Sequence, residues 1–164
     1  MIDAELHAAA RRLLDVCRAR KLKLALVESC TGGLVVAALT EIPGSSDVLD
    51  RGFVTYSNAA KQEMLGLSAS VLQSKGAVSK ETAEAMAAGA LARSGADLCA
   101  AITGVAGPGG GTAEKPVGLV HFAAARRDGR RLQRERRYGD VGRAEIRRRS
   151  VLEALAMLKE LAAP

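Results

Sequence analysis

Leu22-Lys-Leu-Ala-Leu-Val27 is apolar but for one lysine and runs straight into Glu28-Ser-Cys-Thr-Gly-Gly33. The next segment, Leu34-Val-Val-Ala-Ala-Leu-Thr-Glu41, is again almost wholly apolar. A short apolar run suits a strand covered on both faces. The glycine pair marks a tight turn, and the segment after it has the composition of a buried helix. The expected unit is strand, turn, helix. Working outward, residues 98–103 form a second buried-type strand that ends in the glycine-dense 104–111. Residues 117–125 and 132–138 are two further strands joined at Asp128-Gly129, a hairpin signal. A strand over 48–56 is interrupted by Asp50-Arg51-Gly52.

Helices are expected between and around these strands. Residues 3–20 place Leu6, Ala10, Leu13, Leu14 and Cys17 on one face, with Asp3 as N-cap. Asn58 caps a short helix through Leu65, Ser68 caps another, and Ser79 caps an Ala-rich helix running to about Arg93. The last helix covers 143–161, with Ile146, Leu152, Leu155 and Leu158 inward. Strands alternating with helices, plus one hairpin, imply an α/β fold: a single three-layer α/β/α domain spanning 1–164, with a mixed, mostly parallel sheet. The order of the strands is not readable from this pattern.

Composition narrows the function classes. The chain has 164 residues, enough for one sizeable core, with 48% hydrophobic and 26% charged residues. Two Tyr, two Phe and no Trp leave little for stacking nucleobases on aromatic platforms. No run approaches the roughly 20 apolar residues of a membrane span. No signal peptide is visible, so a cytoplasmic protein is expected. Cys17, Cys30 and Cys99 are far apart and odd in number, and His7 and His121 are the only histidines. Neither a disulfide scaffold nor a metal centre is expected. The formal charge of +6 is concentrated between Arg126 and Arg149, where eleven arginines face four carboxylates. That stripe suits nucleic acid or an anionic substrate, or simply arginines paired with carboxylates. No nucleic-acid-binding module accompanies it, and nucleic acid is not the expected partner.

In α/β sheets, ligands gather at the carboxyl ends of strands. Both glycine-rich turns follow apolar strands. The first offers a hydroxyl beside backbone amides, as a nucleophile with an oxyanion hole requires, or as a capped helix start requires. The second is neither a Walker A loop nor a G-x-G-x-x-G before a helix, because Lys115-Pro116 ends it. It reads as an anion-holding nest or a flexible connection. Tyr56 and Lys61 flank a strand end and a helix start. A lysine acts as a base only when neutral, hence desolvated or near another cation; otherwise Lys61 is a surface residue.

Glu28-Ser-Cys-Thr-Gly-Gly33, Gly52-Phe-Val-Thr-Tyr-Ser-Asn58 with Lys61, Gly76-Ala-Val-Ser79, and Thr103-Gly-Val-Ala-Gly-Pro-Gly-Gly-Gly111 with Glu114-Lys-Pro-Val-Gly118 occur in one order. Together they resemble the C-terminal domain of the CinA (competence- and damage-inducible) family, which includes stand-alone nicotinamide-nucleotide amidohydrolases. The resemblance covers about residues 6–161. It implies hydrolysis of the carboxamide of nicotinamide mononucleotide in pyridine-nucleotide salvage, no metal or organic cofactor, and a homodimer. Ser29 matches the family's nucleophile and Lys61 its activating base. With only two histidines, a Ser-Lys pair is the accessible route to an activated hydroxyl. The amides of Cys30, Thr31, Gly32 and Gly33 are the expected oxyanion donors. Tyr56 either hydrogen-bonds the Ser-Lys pair or stacks on the pyridine ring. Thr103, Gly104, Ala106, Gly107, Gly109, Gly110 and Arg143 are expected around the substrate and its phosphate. The family often has aromatic-x-Gly-Asp-Arg, whereas this chain reads Tyr138-Gly-Asp-Val-Gly-Arg143, so Arg147 is the other possible register. Cys30 is a rival nucleophile, although a tight turn is expected to send only one of Ser29 and Cys30 into the cleft. His121 is expected to be structural. The alternative is a catalytically silent nucleotide-binding or protein-interaction domain of the same fold.

Overall fold

The computed structural model describes residues 2–164. In chain order the elements are α1 (Ala4–Ala19), β1 (Leu24–Glu28), α2 (Leu34–Thr40), β2 (Leu49–Val54), α3 (Asn58–Leu65), α4 (Ala69–Lys75), α5 (Lys80–Ala92), β3 (Leu98–Gly104), β4 (Leu119–Arg126), β5 (Arg131–Arg137) and α6 (Arg143–Ala162). The five strands form one sheet in the order β2-β1-β3-β4-β5. Strand β1 runs parallel to both β2 and β3, while β4 pairs antiparallel with β3 and with β5. Four strands therefore point one way and β4 alone opposes them. The sheet is mixed, with its parallel part at the β2-β1-β3 end.

The central strands are apolar because both their faces are covered. Leu24, Leu26, Leu98, Ala100, Ile102, Val120 and Phe122 pack under α1, α2 and α6. Their alternates Ala25, Val27, Cys99, Ala101, Ala123 and Ala125 pack on the other face, against α5 with α3 and α4. Alanines on that second face let the Ala-rich α5 approach closely, which compensates for the scarcity of aromatic residues. The edge strands β2 and β5 are largely exposed.

Several local expectations hold. Asp3 caps α1, its carboxylate accepting from the Leu6 amide at 2.9 Å. Ser68 and Ser79 cap α4 and α5. Two differ. The cap of α3 is Ser57, whose hydroxyl accepts from the Ala60 amide at 3.0 Å, and Asn58 is already helical. Strand β2 is not broken at Asp50-Arg51-Gly52. The register steps from Leu24–Leu49 to Ala25–Arg51, so Asp50 is one extra residue accommodated as a bulge.

Pairing with carboxylates accounts for much of the arginine stripe. Arg134 and Arg136 bind Glu153, Arg134 also binds Glu160, and Arg148 binds Asp3 and Glu5. Arg137 and Arg149 pair with Glu135 and Glu145. The stripe thereby fastens β5 and α1 to α6. No described helix is long and apolar enough to cross a membrane.

Candidate active site

Parallel pairing in register brings the carboxyl ends of β1, β2 and β3 to one edge, with Glu28 opposite both Val54 and Ile102. The chain leaves this edge through Ser29, Tyr56 and the 104–111 loop. A cleft of about 290 Å³ opens there, bordered by Ser29, Cys30, Tyr56, Lys61, Arg143 and the glycine loop. A larger groove of about 530 Å³ lies between α5 and the β4–β5 ribbon, but alanines dominate its lining and no nucleophile faces a base in it. The smaller cleft is where groups capable of chemistry converge.

Lys61 projects from the first turn of α3 and is only 1% exposed. Its Nζ donates to the Thr55 carbonyl at 2.7 Å and lies 3.2 Å from Ser29 Oγ. Its hydrogen-bond partners among the described residues are thus neutral oxygens, with no carboxylate holding the charge. Burial pulls its pKa below the ordinary lysine value. A half-buried serine hydroxyl therefore sits beside an amine whose surroundings favour the neutral, proton-accepting form. Cys30 also borders the cleft, but its side chain belongs to the buried core under α1, α2 and α6. Burial, with the nearby Glu28 charge adding to it, pushes its thiol up to about 12, so it is present as the protonated thiol at neutral pH.

The turn between β1 and α2 is held from inside. Gly32 and Gly33 both take positive φ, at 59° and 97°, where a side chain would be strained. The helix start is capped neither by Ser29 nor by Thr31. Glu28, completely buried, turns its carboxylate onto the first turn of α2. Its Oε2 accepts from the amides of Gly33 and Val35 at 2.9 and 3.1 Å, and its Oε1 from Val36 at 2.9 Å. The Gly32 amide donates to the Ser29 carbonyl at 3.1 Å. Gly32 and Gly33 are thereby occupied; the amides of Cys30 and Thr31 have no acceptor among the described residues, and of these two residues only Cys30 borders the cleft, Thr31 being fully buried. Sequence reasoning missed Glu28, because a glutamate ending an apolar strand looks like the polar margin of a turn.

Arg143, the first residue of α6, donates to the Gly107 carbonyl at 2.9 Å and to the Tyr56 hydroxyl at 3.0 Å. It lines the cleft and has no carboxylate partner among the described residues. Arg147 instead points behind the turn and donates to the Thr31 carbonyl at 2.9 Å. Of the two registers, Arg143 is the one that lines the cleft. Gly104, Ala106, Gly107, Gly109 and Gly110 border it too, as do Ala77 and Val78, which the residue-level reading had not assigned to the site. Thr103 reaches the same wall but spends its hydroxyl on the Ala77 carbonyl at 2.6 Å. His121 is 8% exposed within β4, faces Glu135 across the strand pair, and lies outside the cleft lining.

Comparison with known proteins places this geometry among relatives. The CinA C-terminal domain family matches residues 6–162. A protein of Enterobacter agglomerans named nicotinamide-nucleotide amidohydrolase PncC is 43% identical over 160 residues, covering 98% of each chain. A CinA-like protein of Synechococcus sp. strain RCC307 is 50% identical over 157 residues, 95% of this chain but 37% of its own length. This chain thus spans about a third of such longer relatives. Among solved structures, competence/damage inducible protein CihA from Agrobacterium tumefaciens superposes with a TM-score of 0.98 at 53% identity, covering 99% of both chains. A CinA superfamily protein from Klebsiella pneumoniae 700603 gives 0.90 at 34% identity, covering 96% of this chain and 97% of its own.

Proposed function

The chain belongs to the CinA C-terminal domain family, and we propose that it is an amidohydrolase converting nicotinamide mononucleotide to nicotinate mononucleotide and ammonia. The observation that carries this reading is the buried Lys61 amine 3.2 Å from the Ser29 hydroxyl, at the carboxyl edge of the parallel strands. Supporting it is the full-length relative named for that reaction class.

In this mechanism neutral Lys61 takes the proton of Ser29 as Oγ attacks the carboxamide carbon. The resulting oxyanion accepts from the Cys30 amide, which borders the cleft. Lys61 then passes its proton to the departing nitrogen, the C–N bond breaks, and ammonia leaves behind a nicotinoyl ester on Ser29. Water, deprotonated by Lys61, attacks the ester and restores the serine. The Thr55 carbonyl fixes the direction of the lysine through both steps. Arg143, whose hydrogen-bond partners among the described residues are neutral oxygens, transfers its donors to the substrate phosphate in bidentate fashion on this reading. The backbone of the 104–111 loop supplies the remaining phosphate donors, and Tyr56 lies against the pyridine ring.

The test compares Arg143→Ala with wild type on nicotinamide mononucleotide and on nicotinamide riboside, which lacks the phosphate. KM for the mononucleotide is expected to rise by one to two orders of magnitude, as for loss of a charged hydrogen bond of about 1.5–3 kcal/mol. KM for the riboside is expected to change little. Equal effects on both substrates contradict the phosphate role. Absence of ammonia release by wild type from either compound contradicts the reaction itself.

A further inference from the structure

We propose that Glu28 is a positioning residue for the Ser29 chemistry. On this reading its buried carboxylate sets the geometry of the nucleophile turn and determines which amides remain free for the oxyanion. The inference rests on the Ser-Lys reading above. Glu28 is the last residue of β1 and immediately precedes the nucleophile, with none of its surface exposed. It has no arginine or lysine partner among the described residues. Three amides of the first turn of α2 converge on its two oxygens. A buried charge is expensive unless it is fully hydrogen-bonded, and the positive end of a helix is the one environment in this turn that meets that need.

The consequence for the site is geometric. Carboxylate bonds to Gly33, Val35 and Val36 hold the start of α2 against the strand end, so that residues 29–32 form a fixed loop whose Ser29 and Cys30 border the cleft. The Glu28 main chain also reaches the base. Its carbonyl accepts from the Thr55 amide at 2.9 Å, and the Thr55 carbonyl in turn accepts from Lys61 Nζ. The side chain of one residue thus fixes the nucleophile turn while its backbone fixes the segment holding the base. Removing the side-chain contacts disturbs only the first of these, which makes the two separable.

Glutamine in this place presents one acceptor and one NH2 group to three N–H donors, so at least one amide meets a donor instead of an acceptor. The turn must shift, and a displacement of about 1 Å at a reacting atom costs on the order of 10²-fold in rate. Glu28→Gln is expected to lower kcat for nicotinamide mononucleotide by about that factor, with KM within about threefold of wild type. In parallel, Ser29 is labelled by a fluorophosphonate, which phosphonylates an activated serine hydroxyl with loss of fluoride. The labelling rate is expected to fall alongside kcat. A merely structural role lowers the folded fraction, which the labelling endpoint counts, and leaves kcat per folded molecule unchanged; that outcome overturns the proposal. If Glu28→Gln does not fold, Glu28→Asp decides. Its carboxylate is set back by one methylene and cannot reach all three amides, so a loss in kcat supports the proposal and full retention refutes it. Should wild type be labelled at Ser29 but release no ammonia from the mononucleotide, the substrate assignment falls, and the labelling rates alone judge Glu28.

Discussion

Replacing Lys61 by methionine separates the charge of the base from its bulk. The methionine keeps an unbranched stem in the same buried space but cannot titrate. Two effects follow, and only one depends on pH. The Thr55 carbonyl loses its donor, a constant cost of about 1–3 kcal/mol for an orphaned buried acceptor. The second effect is linkage. Burial lowers the folded-state pKa of Lys61 below its ordinary value of 10.5. Between the lowered value and 10.5 the unfolded chain binds a proton that the folded one does not. Wild-type stability therefore rises with pH through that window, by at most about 1.4 kcal/mol per pH unit for a single proton. Below the window both states are protonated and the full burial penalty applies; above 10.5 neither is protonated and it vanishes. Urea unfolding of wild type and Lys61→Met in parallel from pH 6 to 10 cancels the other titrating groups, which the two proteins share. The stability difference, variant minus wild type, is expected to decline with pH at a slope not exceeding that limit. Ammonia release by wild type should rise with pH as folded Lys61 loses its proton at the lower edge of that window and level off above it, and the variant should lose about 10²- to 10⁴-fold in turnover. A difference independent of pH to within about 0.5 kcal/mol refutes the reasoning. It means that Lys61 has the same proton affinity folded and unfolded, and so is charged at neutral pH and unable to act as a base.

Further outcomes follow from the packing and the site. Cys30→Ala should keep ammonia release within about threefold of wild type, because the buried thiol is pushed up to about 12 and the backbone amide is retained; a loss of 100-fold or more reinstates it as the nucleophile. At Gly89 in α5, an added Cβ would stand 2.3 Å from the Leu65 carbonyl at the end of α3. Gly89→Ala gains about 1 kcal/mol of helix propensity but meets backbone that cannot rotate away, an overpacking cost of about 1–3 kcal/mol. A lower melting temperature and a lower kcat are expected together, since α3 carries Lys61, and a variant more stable than wild type contradicts this account of the α3–α5 contact.

Elements with local signals were legible in the sequence. Asp3 and Ser79 announced the starts of α1 and α5, and the largely apolar runs at 22–27 and 98–103 identified the strands Leu24–Glu28 and Leu98–Gly104, which are buried on both faces. Adjacent cap-forming residues misled by one place at α3, where Ser57 and Asn58 are both good N-caps and only the backbone conformation decides between them. The bulge at Asp50 looked like an interruption because a polar cluster in a strand and a break in one share the same sequence pattern. Strand order was closed to sequence reasoning, since it depends on pairings between distant segments. So was Glu28, whose role depends on the α2 amides folding back onto it. Ser29, Lys61, Tyr56 and Arg143 could be named in advance through the resemblance. Their approach, and the turning of Arg147 to the back of the turn, belong to tertiary structure alone.

The Ser29 hydroxyl beside Lys61 is the centre of the account, and its most direct measurement is ammonia release from nicotinamide mononucleotide by wild type and Ser29→Ala, with chelator present and no added metal. Turnover by wild type and none by a folded variant that still binds the mononucleotide is the predicted result. Comparable turnover by both contradicts the assignment of Ser29 as nucleophile.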